Sequence, residues 1–335
     1  MARNLFRAIE PATGYVAAVN LDRNLQITDN IEMARVFEGT AWEEWVLSKG
    51  LRVEPLDKKV YFTNGLPKSH WRHYADEFNL DTLWLIPSRD AGKPHAKQFH
   101  GLFVPQIPRQ FIRRYTSPGD VVLDLFNGSG TTVIEALKLS RHGIGIDLNQ
   151  EFLDDTRTRI EGSNLYRKWW RLGQLMTADS TNYKSLYPIA EVIKNANPAD
   201  GYADLVFLHP PYGSIIQFSK SQFDLSAKMS PGQFMAYLKV SISMAYTALR
   251  PGRHAVLVIG DIYQNKQTIP LGAMSVTAAL ETDFLLKSMI VKDIQGAETG
   301  GRIGKNQNLW KRRAVEHGFH LFKHEYILLL QKPFD

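Results

Sequence analysis

Short runs of apolar residues alternate with amphipathic stretches from about residue 97 to the end of the printed sequence. Continuous apolar strands separated by helical stretches are typical of a mostly parallel sheet with helices on both faces. The sequence therefore predicts an α/β fold of this kind. The predicted strands are Val121–Leu125, His142–Ile146, Leu205–Leu208, Ala255–Ile259, Leu285–Val291 and Glu325–Leu330. The predicted helices are Pro108–Tyr115, Thr131–Leu139, a helix from Glu151 onward, Phe234–Leu249 and Met274–Glu281.

The first part of the chain has a different pattern. Its segments are short and interleave aromatic with charged residues, as in Val60–Phe62 and Leu83–Ile86. Pro87–Pro94 contains the proline and glycine residues of a connecting loop. We therefore predict an N-terminal accessory lobe over residues 1–95 and the α/β domain over residues 96–335.

Composition narrows the chemistry. The chain of 335 residues has no cysteine, which excludes disulfides, cysteine zinc sites and a cysteine nucleophile. No run of 18 apolar residues and no secretory leader is present, so we expect a cytoplasmic protein with no membrane partner. The net charge of +6 favours a polyanionic partner. The histidines are scattered, and no metal site is predicted.

A glycine turn follows the first predicted strand, in Asp124–Thr132. Gly128 and Gly130 allow a tight turn and a close approach of the backbone to a ligand. Ligands of open parallel sheets bind beyond the carboxyl ends of the strands. Ser129 and two threonines are expected to cap the following helix. The candidate cofactor residues here are Asp124, Phe126, Asn127, Gly128, Gly130 and Thr131.

Two further carboxylates extend this candidate site. Asp147 ends the next strand, about 20 residues on, where an acidic side chain can accept hydrogen bonds from ribose hydroxyls. Asp179 follows a third strand and is a candidate acceptor for an adenine amino group. A dinucleotide fingerprint would need a third glycine, and a phosphate-binding loop would need Gly-Lys-Ser/Thr; both are missing. The alternative is a tight turn that holds no ligand.

A second motif, His209-Pro-Pro-Tyr212, follows the apolar strand Leu205–Leu208. Pro210 and Pro211 fix the backbone and leave carbonyl groups free to accept hydrogen bonds. A planar amine can donate to such a carbonyl and to the side chain of His209, while Tyr212 stacks on its ring. We predict that these four residues are catalytic; the alternative is a rigid proline turn with a core tyrosine.

These two motifs resemble those of the S-adenosylmethionine-dependent amino methyltransferases of DNA, of bacterial or phage type. Asp124–Thr132 is similar to their cofactor motif, usually Asp-Pro-Phe-x-Gly-Ser-Gly-Thr-Thr. His209–Tyr212 is similar to their catalytic motif, usually Asp, Asn or Ser before Pro-Pro-Tyr. Gly145–Asn149 resembles the ribose-binding strand end, and Phe99–Tyr115 the segment that closes over the methionine end. The resemblance covers residues 97–333 and implies a Rossmann-like methyltransferase domain that uses S-adenosylmethionine.

The departures from that family leave the target base open. Leu125 replaces the usual proline, and His209 replaces the usual first residue of the catalytic motif. Serine there accompanies cytosine, and Asp or Asn accompanies adenine, so the resemblance implies transfer to adenine N6 or cytosine N4 without choosing between them. A neutral imidazole accepts one hydrogen bond in the correct tautomer.

A basic segment near the end of the sequence is the candidate contact for nucleic acid. Gly300–Phe319 has no acidic residue before Glu316, and it reads as a flexible basic loop that contacts phosphates and stacks on a base. The alternative is a solvated surface loop. A second basic and aromatic stretch, Tyr166–Arg171, is weaker because such a helix more often packs its tryptophans in a core. The predicted contacts are Arg302, Lys305, Trp310, Lys311, Arg312 and Arg313.

The sequence thus predicts methyl transfer from S-adenosylmethionine to an exocyclic base amine in DNA, with the base flipped out of the duplex. The accessory lobe is a candidate for target recognition, dimerisation or packing. A cognate restriction endonuclease and a homodimer stay open as partners. The alternatives are methylation of an RNA base or of a protein glutamine, and a non-catalytic nucleic-acid-binding subunit with the same fold.

Overall fold

The computed structural model describes five N-terminal strands (5–9, 16–19, 25–28, 37–38 and 52–55) and residues 75, 78–90, 92–95, 103–212, 225, 229–294 and 302–334. Contacts between residues divide the chain into two compact units, Met1–Glu77 and Phe78–Asp335. The predicted segment Val60–Phe62 lies outside the described residues.

The first unit contains an antiparallel sheet. Its strand order is β3-β2-β1-β4, and β5 also pairs with β1. The strands are β1 (Leu5–Ile9), β2 (Val16–Val19), β3 (Leu25–Thr28), β4 (Phe37–Glu38) and β5 (Arg52–Pro55).

The second unit is built on an eight-stranded sheet. Its strand order is β6-β14-β15-β11-β10-β7-β8-β9, and a separate hairpin pairs β12 with β13. The strands are β6 (Leu83–Trp84), β7 (Val121–Asp124), β8 (His142–Asp147), β9 (Gly173–Thr177), β10 (Ala203–Leu208), β11 (Leu249–Ile259), β12 (Ile262–Gln264), β13 (Gln267–Ile269), β14 (Leu285–Asp293) and β15 (His324–Gln331).

Helices connect these strands. The helices predicted from the sequence are found to within a few residues, and further helices are present. They are α1 (Gln106–Tyr115), α2 (Thr131–Lys138), α3 (Gln150–Glu161), α4 (Tyr166–Leu172), α5 (Leu186–Ala196), α6 (Pro231–Ala248), α7 (Leu271–Leu280) and α8 (Arg302–His317).

The central strands are parallel, and one strand breaks the pattern. β7 pairs in parallel with β8 on one side and with β10 on the other. β15 is antiparallel to both of its neighbours, β11 and β14. The chain leaves β7, continues outward through β8 and β9, then crosses back to β10, so the strand order reverses beside β7. This is the Rossmann-like arrangement that the sequence predicts, and ligands bind where such an order reverses.

The sheet is buried on both faces because its strands carry apolar side chains in both directions. Along β10, Val206 and Leu208 join one buried cluster, which also contains residues of α6 and α7. Leu205 and Phe207 point to the other face and pack with Phe103 and residues of α1. Side chains at every second position therefore share a face, as the strand repeat requires.

Residues 78–95 pack with the α/β unit instead of the N-terminal lobe to which the sequence analysis assigned them. Trp84 pairs through its backbone with Lys292 in β14. Its ring is buried and stacks on Phe111 of α1, with ring centroids 5.5 Å apart. The short β6 is thus an edge strand of the second sheet, and the break between the units falls after Glu77.

The prediction of a flexible basic loop in the Gly300–Phe319 segment is wrong, because residues Arg302–His317 form α8. Arg312 and Glu316, four residues apart, form an ion pair on the helix surface, which supports a helix. Within the described part of the chain, no helix is long and apolar enough to cross a bilayer.

Candidate active site at the carboxyl edge of the sheet

The glycine turn joins β7 to α2 at the carboxyl edge of the parallel strands. Gly128 and Gly130 have φ values of 48° and 73°, a left-handed backbone that favours glycine. The Gly130 N–H donates to the carbonyl oxygen of Asn127 at 2.7 Å. A Cβ atom on Gly130 would overlap the side chain of Thr156 in α3. The turn therefore brings its backbone close to α3 without intervening side chains.

The expected side-chain caps of α2 are absent. The helix begins at Thr131, and its N-cap residue is the left-handed Gly130, which has no side chain to offer. Ser129 lies one residue too early, and its hydroxyl lies 3.3 Å from that of Thr131. The capping prediction is wrong because the helix starts at Thr131 as predicted, but its N-cap position is Gly130, which carries no side chain, and neither threonine of the first turn caps it.

Asp147 holds the turn from the end of β8. One carboxylate oxygen accepts from the N–H of Gly128 at 2.7 Å, and the other accepts from the N–H of Asn149 at 2.9 Å. Each carboxylate oxygen can accept more than one hydrogen bond. Asp147 is thus fixed beside the glycine turn while it keeps capacity for hydroxyl donors.

Asn127 forms a polar cradle against β8. Its backbone N–H donates to the carbonyl of Ile146 at 2.8 Å, and the residue is buried. The side-chain oxygen is buried and has no hydrogen-bond partner. A Cβ on Gly145 would overlap that oxygen. The space beside the Asn127 amide therefore exists because position 145 is glycine.

Asp124 ends β7 underneath the turn. One of its carboxylate oxygens accepts from the N–H of Phe126 at 2.9 Å. Burial, together with a smaller contribution from the charge of Asp147, raises the pKa of the Asp124 carboxyl to about 6, although the hydroxyl of Thr132 and the N–H of Phe126 lower it. The ring of Phe126 is partly buried against the core. Asp124 therefore titrates closer to neutral pH than an exposed aspartate does.

Asp179 follows β9 at the same edge. One carboxylate oxygen accepts from both the N–H and the hydroxyl of Thr181, at 2.8 and 2.6 Å. The adjacent Ser180 donates to the carbonyl of Leu125, at 2.6 Å, and so ties this segment to the glycine turn. Asp179 is partly exposed, which suits a residue that meets a ligand.

The catalytic motif starts from the strand next to the glycine turn. Asp124 of β7 pairs with Phe207 of β10, and the N–H of Leu125 donates to the Phe207 carbonyl at 3.1 Å. His209 comes two residues after Phe207. The last paired row of these two strands therefore lies directly before both motifs, which places the start of the glycine turn next to the start of the catalytic motif.

The imidazole of His209 lies among aromatic rings. Its centroid is 4.7 Å from that of Phe103, which precedes α1, and 6.4 Å from that of Tyr212. Burial lowers the pKa of His209; Glu325 raises it and Lys292 lowers it. His209 is thus held as the neutral imidazole that can accept a hydrogen bond.

Tyr212 rests on the backbone at the end of β11. A Cβ added to Gly260 would lie 2.9 Å from the Cε2 atom of the Tyr212 ring, which is closer than real contacts allow. Pro210 is buried beneath the motif, whereas Pro211 is partly exposed. Glycine at position 260 therefore leaves the space that the edge of the Tyr212 ring occupies.

The predicted contacts for nucleic acid fall on α8. The side chains of Lys311, Arg312 and Arg313 are exposed on the helix. Those of Arg302, Lys305 and Trp310 lie outside the described side chains. In the weaker basic stretch, Trp169 is buried whereas Trp170 is 69% exposed, so α4 packs only one of its two tryptophans.

Two family models match the chain. One, described as DNA methylase, matches residues 30–158, which include the glycine turn and Asp147. The other, described as RNA cap guanine-N2 methyltransferase, matches residues 119–249, which include both motifs.

The curated proteins that are similar to this chain include type II methyltransferases. The type II methyltransferase M.BglI of Bacillus subtilis is 35% identical over 98 residues, which are 29% of this chain and 26% of that protein. M.XycI of Xanthomonas campestris is 39% identical over 86 residues, 26% of this chain and 27% of that protein. The resemblance to the amino methyltransferases of DNA is confirmed. The chain covers only about a quarter of these relatives' lengths.

Solved structures are more distant. TrmN of Thermus thermophilus is 18% identical, with 69% of this chain and 49% of that chain covered and a TM-score of 0.44. The glycopeptide N-methyltransferase MtfA in complex with S-adenosylmethionine is 12% identical, with 73% and 100% covered and a TM-score of 0.39.

The prediction of S-adenosylmethionine as the cofactor is confirmed by the match to the DNA methylase model over the glycine turn. The residues present also fit that cofactor. Asp147 offers acceptors for ribose hydroxyls, and the Asn127 amide oxygen is a buried acceptor with no partner. Among the described residues, no three histidine or acidic side chains are grouped as metal ligands.

The sequence analysis missed two charged residues near His209. Lys292 interrupts an apolar strand, Met289-Ile-Val-Lys-Asp293, and is 1% exposed. Glu325 lies in the neighbouring strand, paired with Lys292. A lysine inside an apolar run was the available signal, but only the strand register identifies its partner.

Proposed function

We propose that this protein transfers a methyl group from S-adenosylmethionine to the exocyclic amine of adenine (N6) or cytosine (N4) in DNA. The pairing of Asp124 with Phe207 carries this proposal, because it starts the cofactor turn and the His209–Tyr212 motif from one row of the sheet. A methyl donor and an acceptor amine held at these two segments meet at the sheet edge, which is the requirement for direct transfer.

The cofactor would be held at the carboxyl ends of β7, β8 and β9. Asp147 would accept from the ribose hydroxyls, and Asp179 would accept from the adenine amino group. Phe126, Asn127 and the two glycines of the turn line the approach, and Asp124 supports them from below. When bound, S-adenosylmethionine supplies an electrophilic methyl group whose sulfur leaves as a neutral thioether.

The catalytic motif holds the amine. The neutral imidazole of His209 accepts one N–H of the amine, and a proline carbonyl of the motif accepts the other. Tyr212 stacks on the flat base. These two acceptors draw the nitrogen lone pair out of conjugation with the ring and aim it. The displaced proton leaves the nitrogen for water, so the motif contributes orientation and electrostatics and not a strong base.

Protonation of His209 should abolish this hydrogen bond, since an imidazolium accepts none and repels a developing positive charge. Because burial lowers the pKa of His209, the loss of activity on acidification should fall below the ordinary histidine range. Activity carried by His209 is thus present at neutral pH and lost as the pH falls through the lowered value.

DNA is the proposed macromolecular partner. The target base must leave the duplex to reach an amine-binding motif at the sheet edge. Lys311, Arg312 and Arg313 of α8 provide exposed positive charge for phosphate contacts. We propose target recognition or dimerisation as the role of the N-terminal unit. The type II relatives suggest that the protein acts in restriction–modification, together with a cognate endonuclease.

Transfer of label from S-adenosylmethionine to unmethylated duplex DNA tests this function. Wild type and His209→Ala are compared, and the product nucleosides are digested and separated. Label in N6-methyladenine or N4-methylcytosine, lost in His209→Ala, is the expected result. His142→Ala is the matched control, because His142 begins β8 at the opposite edge of the sheet, and it should retain activity. Cofactor binding without label in DNA would refute the proposal.

A second candidate is the methylation of an amine in RNA. The RNA cap guanine-N2 methyltransferase model spans both motifs, and a guanine N2 amine meets the same two acceptors. The same assay with RNA in place of DNA, and a search for N2-methylguanine in the digest, separates the two. Label in RNA alone would replace DNA by RNA as the substrate.

A further inference from the structure

Arg159, in α3, holds the glycine turn by its backbone. Its side chain is 19% exposed. One terminal nitrogen, Nη2, donates at 2.8 Å to the carbonyl oxygen of Ser129, which lies between the two glycines of the turn. The other terminal nitrogen, Nη1, donates to the carbonyl oxygen of Pro94, also at 2.8 Å. A single guanidinium therefore joins the turn to the segment 92–95.

The same helix contacts the turn through a second residue. Thr156, one helical turn before Arg159, is buried, and its side chain fills the space that a Cβ on Gly130 would occupy. The side-chain amide of Asn127 donates to the Thr156 hydroxyl at 3.4 Å. Residues three apart lie on the same face of a helix. One face of α3 therefore contacts the turn at Asn127, Ser129 and Gly130.

The start of α3 is itself tied to the candidate acceptor for ribose hydroxyls, Asp147. Asn149 caps the helix by accepting from the N–H of Glu151 at 2.9 Å. Asp147 accepts from the N–H of Asn149 with one carboxylate oxygen and from the N–H of Gly128 with the other. The turn is thus held at a backbone amide by Asp147 and at a backbone carbonyl by Arg159.

This set of contacts suits a guanidinium. Besides the two carbonyl oxygens, Arg159 donates through Nε to a carboxylate oxygen of Asp155 at 2.9 Å. A guanidinium presents five N–H donors in a rigid planar fork, whereas a lysine ammonium presents three donors at one point. A buried carbonyl that loses its donor costs free energy. Arginine is therefore the side chain that can bridge both carbonyls at once.

The contacts also restrict a segment that would otherwise be free to move. Glycine loses more conformational freedom on ordering than any other residue, and the turn contains Gly128 and Gly130, both left-handed. A binding site that is ordered before its ligand arrives avoids the cost of ordering it during binding. A residue that fixes this turn in advance therefore strengthens the binding of a ligand at the turn.

We propose that Arg159 is a positioning residue for S-adenosylmethionine: by bridging the carbonyls of Ser129 and Pro94, it fixes the glycine turn in the conformation that receives the cofactor. This inference rests on the proposed placement of the cofactor at the turn. It is independent of which amine accepts the methyl group.

Calorimetric titration of the full chain with S-adenosylmethionine tests this without any methyl acceptor. Arg159→Ala should weaken binding by roughly ten-fold or more, and circular dichroism should show it folded. Arg159→Lys keeps the charge but cannot bridge two carbonyls, so it should bind as weakly as Arg159→Ala. Arg157→Ala is the matched control, because it removes an exposed arginine from the same helix, and it should bind as the wild type does. Full affinity in Arg159→Lys would refute the bridging role.

Chemical rescue separates positioning from a loss of stability. Millimolar guanidinium chloride, too dilute to unfold the protein, should restore part of the affinity of Arg159→Ala, whereas ammonium chloride at the same concentration should not. Guanidinium destabilises folded proteins, so an affinity that improves with it does not come from stabilisation. An affinity of Arg159→Ala that falls further with guanidinium would overturn the proposal.

Asp155 supplies a milder variant that leaves Arg159 in place. The Asp155 side chain is 58% exposed in its ion pair with Arg159. Asp155→Asn should weaken cofactor binding by about two-fold in the wild type. It should have no effect in an Arg159→Ala background, because Asp155 acts through Arg159. An equal effect in both backgrounds would contradict this.

The outcomes distinguish this inference from the proposed function. A wild-type chain that does not bind S-adenosylmethionine would refute both. Binding that is the same in the wild type and in Arg159→Ala refutes the positioning role alone. Binding that is weakened as stated, with no label in DNA or RNA, leaves the positioning role intact and refutes transfer to a base.

Discussion

Glu135 should be a main determinant of acid stability. It is fully buried in α2, directly after the glycine turn. Its carboxylate lies 2.6 Å from the Nε2 of His95 and accepts from Arg109 at 2.7 Å and from Lys138 at 2.9 Å. These contacts tie three segments of the second unit together: residues 92–95, α1 and α2.

The size of the effect follows from the pKa of Glu135. Burial alone would raise it, but the contacts with His95, Arg109 and Lys138 lower it from 4.5 to about 2. A carboxyl group with a lowered pKa stabilises the folded state above its unfolded pKa and loses that contribution as the pH falls. The difference corresponds to roughly 3 kcal/mol at pH 7, of which roughly 1 kcal/mol is left at pH 3.

Urea unfolding of wild type and Glu135→Gln at pH 7, 5 and 3 measures the contribution of the Glu135 carboxylate to the free energy of unfolding. The free energy of unfolding should be lower in Glu135→Gln by about 3 kcal/mol at pH 7, and this difference should narrow by about 2 kcal/mol at pH 3. Glu281→Gln is the control, because Glu281 is 55% exposed in its ion pair and should lose less than about 1 kcal/mol. A difference that is the same at all three pH values would refute the electrostatic explanation.

Three other substitutions test the site. Gly145→Ala places a methyl group against the Asn127 amide oxygen and should weaken S-adenosylmethionine binding by roughly ten-fold or more in calorimetry. Gly260→Ala displaces Tyr212 and should lower kcat for methyl transfer by roughly ten-fold or more while cofactor binding is retained. Lys311→Glu should weaken DNA binding and reduce its dependence on salt concentration, measured by fluorescence anisotropy, without change in cofactor affinity.

Gly232→Ala is the matched control for both glycine substitutions. Gly232 lies in the first turn of α6, and nothing lies within 4 Å of an added Cβ, so binding and rate should stay as in the wild type. Unchanged cofactor affinity in Gly145→Ala would mean that the amide cradle does not meet the cofactor. A salt dependence that is unchanged in Lys311→Glu would remove α8 from the DNA interface.

The structural features that the sequence predicts best are those determined by residues close together in the chain. Gly128 and Gly130 determine the turn between β7 and α2 because glycine readily adopts the left-handed backbone conformation that this turn requires. The apolar run before His209 determines β10 because it has to be buried on both faces. The strands that carry the two motifs, and the tight turn after the first of them, were therefore predicted correctly.

Features that depend on distant partners could not be predicted. Trp84 belongs to the second sheet only because β14, about 200 residues later, offers a free edge. The glycines near Arg302 favoured a loop, whereas residues 302–317 form a helix. Lys292 and Glu325 become partners only through the register of two strands, which local patterns do not encode.

The position of β15 has a consequence for how the second unit folds. β15 is later in the chain than all the strands of its sheet, yet it lies between β11 and β14. While residues 324–331 are still unsynthesised, both neighbours lack a hydrogen-bonding partner on that side, and a nascent chain exposes two adhesive edges. Glu325 arrives with the same strand. Closing the sheet and placing Glu325 opposite Lys292 are therefore a single folding step, and a chain interrupted before residue 324 would be prone to aggregate.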